Sequence, residues 1–153
     1  MKGKVLIFIS LTFLFPSVLH ARPPLFRLME LYDPNTELIL EGRSLMVFNR
    51  ETLPLKKPAV LSISMRGRPL FILMGPTRYV KQLGISIKRG QRVRVIGSKV
   101  YGPDGRIYII PRKMVVFHTG RTRVYTFRDK HYIPLWLKRK KTPGKGWKGK
   151  PPD

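Results

Sequence analysis

The chain has 153 residues, 42% of them hydrophobic, with 31 Lys+Arg against 8 Asp+Glu, a formal charge of +23 and no cysteine. That length suits one domain, and the apolar content excludes a wholly disordered chain. The missing thiol excludes disulfides, thiolate metal sites, a Cys nucleophile and a lipidated-cysteine anchor, while the charge points to an anionic partner or surface.

Met1-Lys2-Gly3-Lys4 is basic and is followed by an apolar stretch, Val5–Leu19, that contains Pro16 and gives way through Ala21 to Arg22-Pro23-Pro24. A basic start, a short apolar stretch and a small residue predict a secretory signal peptide over residues 1–21, cut after Ala21. The stretch is shorter than the ~20 residues a membrane span needs, and proline interrupts it. The expected location is therefore periplasmic or secreted. No twin arginine is present, which predicts export of an unfolded chain. Cleavage leaves a charge of +21.

Residues 22–36 form a lead-in segment that ends in the turn signal Tyr32-Asp33-Pro34-Asn35. From 37 to 117, short β-rich runs separated by Gly and Pro are expected to make a barrel. The first strand is expected over Glu37–Phe48, bending at Gly42. In the second, Ala59–Met65, Leu61, Ile63 and Met65 share one face and Ser62 and Ser64 the other. Arg66-Gly67-Arg68-Pro69 turns the chain into a third strand, Leu70–Met74. Gly75-Pro76 opens the one predicted helix, Thr77–Leu83, whose Tyr79, Val80 and Leu83 share a face and which Gly84 ends. Lys88–Gln91 turns into Arg92–Gly97, with valines inward and arginines outward. Gly102-Pro103-Asp104-Gly105 turns into Arg106–Ile110, and Met114–Phe117 either continues that strand past Pro111 or forms another. Residues 118–137 are read as a C-terminal β extension. The Lys-rich tail, 138–153, has too few apolar residues to offset its ordering entropy and is predicted disordered.

The fold class is all-β. Three strands, one short helix and two more strands is the order of a small five-stranded OB-fold-like barrel. An SH3-like barrel is the competitor, and the helix between strands three and four separates the two. The chain also resembles a group of small exported bacterial OB-fold proteins, mostly of unknown function. The resemblance is carried by Tyr32-Asp33-Pro34, by Gly75-Pro76 with Tyr79, and by Gly84-Ile85. It continues in Lys88-x-Gly90-x-x-Val93-x-Val95-x-Gly97-Ser98, Asp104-Gly105, Arg128-Asp129 and Pro134-Leu135-Trp136. Arg89, Gln91, Lys130 and His131 depart from it, standing where prolines, acids or small turn residues are expected. The resemblance implies the fold and an envelope address, and no activity.

Catalytic chemistry is not legible. His118 and His131 lack a neighbouring acidic cluster, so no zinc site is expected. No nucleophile–base–orienter set can be assembled, so the reading is non-enzymatic, without cofactor or metal. The basic residues are the strong signal: residues 22–137 carry a net +15 and the tail a further +6. OB-folds bind on strands two and three and the adjoining loops, by aromatic stacking flanked by cations. The candidate ligand-binding set is Arg66, Arg68, Phe71, Arg92, Arg94, Tyr101, Arg106 and Tyr108. Arg121 and Arg123 would also align along a strand. Tyr79, Phe117 and Phe127 are expected in the core. Trp136 is expected to clasp the extension to the barrel. The expected partner is an acidic envelope protein or an anionic envelope polymer, with single-stranded nucleic acid as the alternative. The tail, with Trp147, would add contact with an anionic membrane surface, and nonspecific nucleic-acid binding in vitro is expected.

Overall fold

Six runs of alternating or continuous apolar residues become strands: β1 Glu37–Ser44, β2 Pro58–Met65, β3 Arg68–Pro76, β4 Arg92–Tyr101, β5 Ile107–His118 and β6 Arg121–Thr126. Two short helices, α1 Pro24–Leu28 and α2 Thr77–Gln82, accompany them in this computed structural model, which describes residues 24–54 and 56–138. The predicted signal peptide (1–21) and the tail beyond Lys138 lie outside the described residues. Among the described residues no helix is long and apolar enough to cross a membrane.

The strands lie in the order β3-β2-β1-β4-β5-β6, and a parallel pairing of β3 with β5, Phe71 opposite Tyr108 and Ile72 opposite Ile109, closes the first five into a barrel. This is the predicted OB-fold-like architecture, with α2 between β3 and β4. The inside is filled by every second residue, including Leu61, Ile63, Ile72, Val93, Val95, Met114 and Val116. Each such side chain contributes ~1.5–3 kcal/mol when fully buried. At Arg43 the long ladder of β1 with β4 overlaps a short one with β2, and at the neighbouring Gly42 a Cβ would lie 2.5 Å from the Ser64 carbonyl oxygen.

Several boundaries differ from the expectation for identifiable reasons. β1 stops at Ser44 rather than Phe48, because Phe48 leaves the strand to bridge Ile87 and is fully buried there. Of the two expectations for Met114–Phe117 the first holds: β5 runs continuously through Pro111, which sits opposite Gly97 at a register shift in β4, where a missing N–H is tolerated. Residues 118–137 do not close the barrel: β6 lies beside the second half of β5, Met114 opposite Tyr125. A second helix, α1, exists where one alone was predicted. Five residues carry no periodic signal, and α1 is held by docking, with Leu28 and Met29 buried against Leu73 and Tyr108. Phe117 is not in the core, since Met114 and Val116 take the inward positions of β5 and alternation turns Phe117 out.

The lead-in and the C-terminal extension are tied together at the start of β1. Arg128 is 3% exposed, its Nη1 donating to the Tyr132 carbonyl at 2.8 Å and its Nη2 to the Met29 carbonyl at 2.5 Å. Its guanidinium lies 4.6 Å from the Tyr32 ring and 5.6 Å from the Trp136 ring. Burial pulls its pKa down to about 10. Tyr32 stacks on Tyr132 at 5.6 Å and donates its hydroxyl to Glu37, which Arg112 grips with two hydrogen bonds of 2.7 and 2.6 Å. Trp136 packs on Tyr79 at 5.5 Å and against Gly75, as the predicted clasp requires. Lys138, the first residue of the predicted tail, belongs to this body through a 2.7 Å ion pair with Asp129.

Candidate functional site

The eight predicted site residues fall in four places. Phe71, Tyr108 and Arg106 meet where β3 pairs with β5: the rings are 5.9 Å apart and the Arg106 guanidinium lies 5.1 Å from Phe71. Tyr108 is 3% exposed under α1, and its hydroxyl donates to Asp104 at 2.8 Å. Burial, then Asp104, pushes the Tyr108 phenol up, and the Tyr108 hydroxyl holds the Asp104 carboxyl below its usual range. α1 covers part of the face on which OB-folds stack ligands, burying Tyr108 and leaving Phe71 partly exposed. Tyr101 is exposed at the β4–β5 turn, with the Lys99 ammonium 4.9 Å from its ring. Arg68 is exposed at the β2–β3 turn.

Arg66, Arg92 and Arg94 belong elsewhere, on the outer side at the end of β1. There an open groove of about 530 Å³ is lined by Arg43, Lys88, Arg89, Gln91, Arg92 and His118 among others. A smaller hollow, sharing Arg43 and Arg92, is lined also by Glu41, Ser64 and Arg66. The floor is firmly tied. Ser44 N–H donates to the Gln91 carbonyl at 2.9 Å, Gly90 N–H to the Ser44 carbonyl at 2.7 Å, and Arg43 Nη1 to the Gly90 carbonyl at 3.0 Å. The Gln91 amide bridges to β5, donating to the Phe117 carbonyl at 3.1 Å and lying 3.0 Å from His118 Nδ1.

Its charge is one-sided. Glu41, the carboxylate in these linings, is bound by Arg92 at 2.9 Å and by Arg94 at 2.9 Å. Phe117 supports both guanidiniums, 4.0 Å from Arg92 and 5.6 Å from Arg94. Each is still half exposed. Among the described residues Arg43, Arg66, Lys88 and Arg89 have no acidic partner. Arg66 also sits at φ 50 beside Gly67 at φ 77, the paired positive φ of a primed two-residue hairpin turn, a conformation that favours Asn or Gly over a long side chain.

Sequence reasoning missed Arg43, Lys88, Arg89, Gln91 and His118. Arg89 and Gln91 did stand out as departures from the resembled pattern. Among the described residues no group of three or more His, Asp or Glu is placed to hold a metal ion. No family model matches the chain, and no curated protein is significantly similar to it.

Proposed function

We propose that the protein is a non-enzymatic binding module that works beyond the cytoplasmic membrane and docks an acidic envelope protein or an anionic envelope polymer in the groove at the end of β1. The observation that carries this reading is the convergence of Arg43, Arg66, Lys88 and Arg89, unpaired with acids among the described residues, on a floor fixed by backbone hydrogen bonds. The guanidiniums of such a set make charge-assisted, bidentate bonds to carboxylate or phosphate, and the Lys88 ammonium adds a point charge beside them. The signal-like start of the chain supports the address. The groove replaces the aromatic face of β2 and β3 as the centre of the site, because α1 packs over part of that face.

Two measurements test it. The N-terminus of the protein recovered from the envelope fraction is expected to be Arg22, and intact Met1 in the soluble interior would overturn the address. The combined R43Q, K88Q and R89Q substitutions are expected to weaken oligoglutamate binding at low salt by at least about tenfold, each lost charge-assisted contact being worth ~0.5–1.5 kcal/mol at an exposed site. Unchanged affinity would overturn the groove.

A further inference from the structure

Barrel closure by β3 and β5 leaves β6 at the end of the sheet, with one flank unpaired among the described residues. The direction of its backbone groups follows from one bond: Phe127 N–H donates to the Arg112 carbonyl at 2.8 Å, while Thr126 lies opposite Lys113. The backbone groups of Arg121, Arg123 and Tyr125 therefore turn toward β5, and those of Thr122, Val124 and Thr126 turn away. The Thr126 carbonyl accepts from the Tyr79 hydroxyl at 3.1 Å. Thr122 and Val124 are exposed, Val124 at 61%, so their N–H and C=O groups form an open ladder.

Such an edge invites a strand, and proteins blunt it with charge. Arg121 and Arg123 do so against a second copy, because pairing two β6 strands antiparallel would gather four guanidiniums with no acid within residues 121–126 to relieve them. Neither arginine has an acidic partner among the described residues. The feature that repels a copy attracts a strand of the opposite sign. We propose that β6 accepts an extended acidic segment of a partner protein as a seventh strand. Carboxylates at every second position face Arg121 and Arg123, and β-branched residues between them face Thr122 and Val124. The β5–β6 turn begins with Thr119, which together with His118 lines the groove, so residues beyond that end of the incoming strand enter among Arg43, Lys88 and Arg89. This inference rests on the groove as an anion site and selects a polypeptide, since only a peptide backbone continues a ladder.

The test compares end-blocked peptides binding the purified protein at low salt: alternating Glu and Val, and oligoglutamate with the same number of charges. The alternating peptide is expected to bind at least about tenfold tighter. Its strand-favouring valines and longer backbone pair the whole edge while its carboxylates stay on the one face that meets Arg121 and Arg123, a gain of a few ladder hydrogen bonds at ~0.5–1.5 kcal/mol each. N-methylation of its ladder-facing amides, which leaves the protein untouched, is expected to erase that gain. Val124→Pro removes an outward N–H at an edge position where proline is tolerated, and is expected to erase it too, with a smaller effect on oligoglutamate. Equal affinity of the methylated and unmethylated peptides overturns the strand. So does displacement by oligouridylate with no effect of methylation, which favours nucleic acid. If R43Q, K88Q and R89Q leave oligoglutamate binding intact while methylation still matters, the groove fails and the edge stands.

Discussion

The two sides of the barrel use the same residue types for opposite ends. On the side of β2, β3 and the first half of β5, arginine and aromatic groups are closed in: Arg128 lies among Tyr32 and Trp136, and Tyr108 lies under α1. On the side of β1, β4, the second half of β5 and β6, Arg92 and Arg94 lie on Phe117 in the open. What differs is the cover, two short segments flanking the barrel in sequence. An arginine–aromatic contact is thus a stabilising device where a segment seals it and a presentation device where none does.

The largest effect is expected at the sealed side. Arg128→Met should lower stability by ~3 kcal/mol in urea unfolding, because it strips the Tyr132 and Met29 carbonyls of their buried donor. Trp136→Ala should cost ~2 kcal/mol, less than a fully buried ring because Trp136 is only partly buried, and should leave oligoglutamate affinity unchanged. A matching loss of affinity would mean that the two sides are not independent. On the open side, Arg66→Asn should invert this pattern: relief of the positive φ raises stability by about 0.5–1 kcal/mol while anion binding weakens. An unchanged unfolding midpoint would sink the strain argument.

The smallest effect is the pH response of the clasp. Lys138, with the Ile133 and His131 amides, holds the Asp129 carboxyl down at about 2, against an ordinary 3.8. Glu37 is held low chiefly by Arg112. Below the ordinary value the unfolded chain takes up protons that the native one refuses. Stability from these groups is therefore full above about pH 5 and drains away as pH falls toward 2. Asp129→Asn should flatten part of that slope in acid unfolding curves.

What the residue pattern disclosed was local. The valine–arginine alternation of β4 and the turns at Arg66-Gly67 and Gly102–Gly105 need only neighbours in sequence, and all lie where expected. The groove needed registers instead. Arg43 nears Arg66 only because β1 pairs with β2 at Ser64, and nears Lys88 only through the Ser44–Gln91 and Ser44–Gly90 hydrogen bonds. Tyr108 resembled a stacking platform in sequence for the same reason: nothing local announces that α1, some eighty residues earlier, buries it.

The Arg128–Met29 bond spans 99 positions along the chain, so it joins the described body's first helix to its last turn at the start of β1. Six residues further along that strand, roughly 20 Å at strand spacing, lies Arg43. Both ends of the described body thus lie toward one pole, and the groove proposed as the anion site lies toward the other. Anchoring the molecule by either terminus would orient every copy alike, with the groove facing outward.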